Sequence, residues 1–295
     1  MSCGGSDADP GRGDRRGHSP MGAAPLSGVL PQKSMKNNYK LCFHFIFKGK
    51  ESDIIQIGAV RGEEEFNVYV RPNRTNSRLA SRLNGRTRVV IRKYRRKANC
   101  VGINEALRRF IHFISTKRNG SILVGHYIKN FDCKVLYHAV SNSKGLQKML
   151  SSVIKGFIDI HKVFRKVYPE LTSYSLDNLL KAFVDTPRRK PRDALSNARM
   201  ARELFQLVES APETPKSVFS WKSVICFCSL KPLIKHKALS PYMGRKLAAI
   251  GLGYDDMLQA YNQSPTDGID SLFSERVGKH GKAIIKKVSN FFGKL

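Results

Sequence analysis

The chain has 295 residues, 41% of them hydrophobic, and its 52 Lys or Arg against 23 Asp or Glu give a formal net charge of +29. That length and apolar content provide for one large domain, or one domain with an appendage, and exclude a chain too polar to build a core. An excess of positive charge this large points to a polyanionic partner, nucleic acid first and an anionic membrane surface second.

Residues 1–35 are rich in Gly, Pro, Ser and charge and are expected to form a disordered tail, because they have too little apolar surface to bury. This N-terminus lacks the apolar core of a signal peptide, and no apolar run reaches the length of a spanning helix, so no transmembrane segment is expected. Three strand-like runs follow at 39–47, 52–60 and 64–71, joined by short turns with glycine, which predicts sequential antiparallel hairpins. The first run, YKLCFHFIF, is almost wholly apolar, as in a strand covered on both faces.

From Arg71 to Lys97 there is no acidic residue, while Arg74, Arg78, Arg82, Arg86, Arg88, Arg92, Lys93, Arg95 and Arg96 crowd the segment. Like charge at this density calls for a counter-anion, so the run is read as a phosphate-contacting surface, against the plainer reading of a solvated loop. Within it, KYRRK (93–97) is also a candidate nuclear import signal. NEALRRFIHFI (104–114) repeats apolar residues at helical spacing, with Asn104 as the expected N-cap.

SILVG then ends a β-rich run at Gly125, and a polar bridge leads into a helix with Phe131, Val135, Leu136 and Ala139 at apolar-periodic positions. This strand and helix present Asp132, as nucleases present a metal ligand above a sheet end. Further elements are a helix at about 142–154, a strand GFIDI (156–160), a helical turn HKVFRKV, a helix at 173–184 opened by Ser173 or Ser175, and a long helix at 193–210 with Asp193 at its start. A composition break at 211–217 sets the expected boundary between a domain at 36–210 and a helical extension at 211–295. The extension ends in KAIIKKVSNFFGKL, a basic amphipathic helix that can dock onto its own domain, a partner groove or a membrane surface. Trp221 and the Phe-rich run 219–227 read as core of this extension. Cys226 and Cys228 are too close for an ordinary disulfide and have no matching ligand pair, so zinc is not expected. The scattered cysteines fit an intracellular, reducing compartment, nuclear or cytoplasmic.

The order of these elements, with DIIQIGAV, FNVYVRP, SRLASRLNGRT, LVGHYIKNFD, FIDIHKVFRKVYPELTSYSLDNLL and DALSNARMARELF, resembles the DEDDh exonucleases of the ribonuclease H-like superfamily over residues 38–209. Within that group the sequence is similar to the exonuclease-like domain of the promyelocytic leukaemia protein long isoform and its stand-alone relatives, with LKPLI and RKLAAIGLGYDDMLQAY as the supporting runs beyond residue 209. The resemblance implies an α/β fold: a mixed sheet of three antiparallel strands followed by parallel ones, flanked by helices. It also implies 3′→5′ exonuclease chemistry with two divalent ions, Mg²⁺ or Mn²⁺, held by four carboxylates, and a general-base histidine.

Position by position the sequence departs from that pattern. His44 and Ile46 stand where the first strand's Asp and Glu belong, Asp132 is retained, Arg192 replaces the histidine, and Asn197 replaces the last Asp. A single carboxylate facing a permanent guanidinium is a poor cage for two divalent ions. The expectation is therefore a degenerate exonuclease that requires no cofactor and binds DNA or RNA, with Arg192 gripping phosphate. Three alternatives stand beside it: an active exonuclease with an unorthodox metal site, His44 with Asp132 holding one softer metal, or a scaffold recruiting a protein through its C-terminal helix. The bland readings are that His126 hydrogen-bonds within the fold, that Asp159 caps the helix after it, and that Asp193 is an N-terminal helix charge.

Overall fold

A computed structural model describes residues 40–48, 53–71, 100–115, 120–184, 193–265, 267–277 and 281–294. The tail at 1–35, the basic residues Arg74 to Lys97 and Arg192 lie outside the described residues.

The predicted hairpins form. β1 (Lys40–Lys48), β2 (Asp53–Arg61) and β3 (Glu64–Tyr69) pair antiparallel in sequence. After α1 (Ile103–Ser115), β4 (Ser121–Gly125) joins the other edge of β1 in parallel, with Lys40 opposite Ile122 and Cys42 opposite Val124. α2 (Asp132–Ser141) and α3 (Lys144–Val153) lead to β5 (Ile154–Asp159), parallel to β4. The strand order β3-β2-β1-β4-β5 and its mixed pairing are the ribonuclease H-like arrangement the sequence predicts.

The two faces of β1 divide the core. Leu41, Phe43 and Phe45 point into a cluster with Leu107, Phe110, Leu136 and Leu150 from α1–α3. Cys42 faces a second cluster under α4 (Ile160–Val167), α5 (Leu176–Phe183) and α6 (Ala194–Val208), with Phe164, Leu204 and Phe205. Each buried Phe or Leu contributes about 1.5–3 kcal/mol of transfer free energy, so apolar residues on both faces tie β1 to the centre of the fold. Ser175 and Asp193 cap α5 and α6 by accepting from the amides of Asn178 (3.3 Å) and Ser196 (2.9 Å). Asn104 is not a cap: α1 begins at Ile103, and Gly102 supplies the carbonyl that accepts from the amide of Ala106.

Two glycines set the closest approaches. A Cβ on Gly58 of β2 would lie 2.3 Å from the backbone of Ala194, so α6 can seat its first turn on the sheet only over glycine. A Cβ on Gly125 would lie 2.5 Å from Ile128 Cγ2 and 2.9 Å from the carbonyl of Phe43, which keeps the turn out of β4 tight against β1.

The C-terminal part comprises α7 (Glu213–Lys216), α8 (Trp221–Ser229), α9 (Lys231–Lys235), α10 (Pro241–Ala249), α11 (Tyr254–Gln263), α12 (Asp267–Val277) and α13 (Gly281–Phe292). Phe219 exchanges backbone hydrogen bonds with Phe157 of β5 (2.8 and 3.0 Å), and Trp221 packs on the same ring at 5.8 Å between centroids. Trp221, Val224 and Cys228 thus belong to the sheet's own core rather than to a core of the extension. The later helices enclose a separate cluster around Leu233, Leu247, Met257 and Phe273. α13 docks into it through Val288 and Phe292, leaving Lys286 and Lys287 exposed. Among the described residues, no helix is long and apolar enough to cross a membrane.

Candidate functional site

β1 runs past the end of β4, because its parallel pairing with β4 stops at Cys42 opposite Val124. Beside the strand beyond that point stands the first turn of α2, which carries Asp132 at 2% exposure. Asp132 Oδ1 accepts a hydrogen bond from the backbone N–H of Phe45 at 2.9 Å, and His44 Nδ1 lies 3.3 Å from the same oxygen. Burial pushes the Asp132 carboxyl above the usual aspartate range, against the downward pull of His44 and of the amide donors. Asp132 and His44, from separate elements, are thus neighbours at the end of the sheet.

Its other supposed neighbours are not ligands. Ile46 is partly buried against the cluster of Ile55 and Tyr69, and it has no lone pair to offer. Asn197 is 7% exposed in α6, and its Oδ1 has no hydrogen-bond partner among the described residues. An unpartnered buried amide oxygen where a carboxylate would sit is the mark of a site whose polar network has lost members. Arg192 and the arginines at 74–96 lie outside the described residues.

The loop between β4 and α2 is held by a second buried carboxylate. Asp159 accepts from the amides of Tyr127 (2.8 Å) and Lys129 (3.1 Å) and makes no cap bond to its own helix α4. The correction has a simple cause: the β4–β5 register sets Asp159 beside Gly125, where the chain leaves the sheet and its amides need acceptors. Burial raises Asp159 as well, outweighing those two donors. Tyr127 is held in the left-handed region at φ 62, and its ring, 37% exposed, lies 5.3 Å from that of Phe131. Phe131, expected on the apolar side of α2, precedes the helix and is 49% exposed. His126 does what was expected of it: its Nε2 lies 2.8 Å from the carbonyl of Tyr174, and burial lowers its pKa.

The two divalent ions implied by the family resemblance need hard oxygen ligands at short range. The donors present are one carboxylate with an oxygen already engaged, one imidazole, a hydrocarbon and a neutral amide. They do not fit a two-metal site. Among the described residues, no group of three or more His, Cys, Asp or Glu side chains is placed to hold a metal ion. A single softer metal between His44 and Asp132 would lack a third protein donor.

Sheet order, helix layers and the place of Asp132 together define an exonuclease-type domain. The exonuclease family model matches residues 45–205, more than half of the chain, and the chain belongs to that family. The model of the PML C-terminal domain matches residues 226–295. Protein PML of Mus musculus is 23% identical over 246 residues, 83% of this chain and 25% of that protein. The DNA polymerase III PolC-type of Thermotoga maritima is 28% identical over 196 residues, 64% of this chain and 13% of that protein. The chain thus spans a quarter or less of the length of these relatives. Among solved structures, the nuclease domain of 3′hExo, a DEDDh family member bound to rAMP, aligns with TM-score 0.46 at 17% identity, over 60% of this chain and 94% of that one. The RNase domain of the yeast Pop2 protein aligns with TM-score 0.45 at 12% identity, over 61% and 81%.

Proposed function

We propose that this protein is an exonuclease-family member that binds nucleic acid without cleaving it. The observation that carries this reading is the Asp132 site, where the one retained carboxylate is committed to Phe45 N–H and His44 while Ile46 and Asn197 replace its partners. Phosphodiester hydrolysis by the two-metal route needs both a hydroxide-generating ion and a leaving-group ion, and among the described residues neither has a ligand set. Binding needs only positive charge and stacking surfaces. The net charge of +29 supplies the first, and the exposed rings of Tyr127 and Phe131 beside the site supply the second. In this reading the arginines between 74 and 96, with Arg192, contact phosphates. KYRRK would direct the chain to the nucleus, and alanine replacement of that run in a fluorescent fusion should then leave it cytoplasmic.

End-labelled DNA and RNA incubated with the purified chain in Mg²⁺, Mn²⁺ or Zn²⁺ test the reading. The strands should remain full length in every metal. Progressive 3′ shortening that disappears in Asp132→Ala would instead establish an active enzyme with an unorthodox site.

A further inference from the structure

The loop that precedes Asp132 also forms one wall of a cavity closed by the C-terminal helices, with a volume of about 290 Å³. Lys129 comes from the loop, Lys134 from α2, Phe219 and Phe227 from the approach to α8 and from α8 itself, and Arg245 from α10. Three cations line the cavity and no acidic side chain does. Among the described residues, none of the three has a carboxylate within ion-pair distance. Both lysines face aromatic rings of the cavity's own walls: Lys129 Nζ stands 4.6 Å from the centre of the Phe219 ring and Lys134 Nζ 5.1 Å from that of Phe227.

Half-buried ammonium groups that face rings, with no carboxylate in ion-pair contact among the described residues, are under-compensated. A cation–π contact returns about 0.5–2 kcal/mol, less than a charge-assisted bond to an anion offers together with the desolvation it relieves. Burial lowers the pKa of both lysines, with nearby cations adding to the effect, Lys162 for Lys129 and Lys231 and Arg245 for Lys134. An anion placed among them would reverse both effects. The walls specify more than charge. Inorganic phosphate alone would leave the phenyl faces and much of the volume unused, and sites for small organic ligands begin at about 300 Å³.

We propose that this cavity binds a nucleoside monophosphate, its phosphate between Lys129, Lys134 and Arg245 and its base against Phe219 and Phe227. As an anion enters, the ammonium groups swing from the rings to the phosphate oxygens, and the vacated ring faces become available for stacking. The nucleotide is either free or the phosphorylated end of a strand, since the chemistry recognised is the same. Its lining includes neither Asp132 nor His44, and the proposal does not depend on whether the Asp132 cleft hydrolyses anything.

Calorimetric titration of the full chain with AMP, adenosine, inorganic phosphate and a 5′-phosphorylated trinucleotide tests the assignment. AMP should bind at least tenfold more tightly than adenosine or phosphate. Lys134→Gln and Arg245→Gln should each weaken it by fivefold or more, whereas Lys287→Gln, on exposed α13, should leave it unchanged. Arg245 is exposed, so its variant keeps the fold, and unchanged far-UV circular dichroism confirms that for both. A trinucleotide that binds as tightly as AMP and competes with it identifies a strand end as the ligand, and one that binds tenfold more weakly identifies the free nucleotide; either supports the site. No AMP binding, equal affinity for AMP and phosphate, or AMP affinity insensitive to both substitutions would overturn it.

Discussion

The Asp132 cleft and the cavity beside Arg245 draw on the same stretch of chain, residues 129–134, and they are electrostatic opposites. In the cleft a buried carboxylate has lost the acidic partners that would draw cations to it, and its contacts are a backbone amide and an imidazole. In the cavity three cations are gathered with no carboxylate among them. In the proposed reading, a fold whose family holds metal ions next to phosphate would here offer phosphate positive side chains directly. The contrast explains how a net charge of +29 and a nuclease fold coexist without a nuclease ligand set.

The comparison breaks first if the extension that closes the cavity is a loose appendage. Trp221 is 4% exposed and packs against Phe157 of the sheet, so Trp221→Ala should cost about 3–5 kcal/mol in urea unfolding. A cost below about 1 kcal/mol would detach the C-terminal helices, and the cavity with them, from the fold. Next in size is Asp159→Ala, which strands the amides of Tyr127 and Lys129 and should cost about 2–3 kcal/mol by the same measurement.

Asp132→Asn should act in the opposite direction. Because the folded state raises the Asp132 pKa, the folded protein holds that proton more tightly than the unfolded chain does. The carboxylate's contribution to stability is therefore most favourable below its ordinary value of 3.8 and is lost as pH rises through the folded value. The neutral amide removes that loss, so Asp132→Asn should raise stability by about 1 kcal/mol at pH 7. No such gain should appear near pH 3. A loss at pH 7 would mean that the carboxylate is structural rather than left over. The smallest effect is expected at Arg245, which is exposed and unpaired among the described residues. Arg245→Ala should shift stability by less than about 0.5 kcal/mol while weakening AMP binding.

The elements that local chemistry dictates were legible in the sequence. Strand-like apolar runs and glycine turns point to β1–β3, Ser173 or Ser175 and the charge of Asp193 mark the starts of α5 and α6, and the strand–loop–helix around Asp132 stands out. What escaped depends on contacts between distant segments. Asp159 looks like a helix cap until the β5 register turns it toward the loop at 127–129. Phe131 follows the apolar period of α2 but falls one residue before the helix begins. Trp221 looks like the core of an extension until the Phe157–Phe219 bridge brings its ring onto Phe157 of the sheet. The cavity joins Lys129 and Lys134 to Arg245, more than a hundred residues later, and no periodicity or motif links them. Its one local sign was a pair of lysines flanking the retained aspartate.

The central claim, binding without cleavage, is tested most directly by fluorescence anisotropy of a labelled single strand with the full chain in EDTA, at 50 and at 200 mM salt. Binding should need no divalent ion, weaken at least a hundredfold between the two salt concentrations, and leave the strand full length when Mg²⁺ is then added. Binding that requires Mg²⁺, is indifferent to salt, or ends in a shortened strand would contradict it.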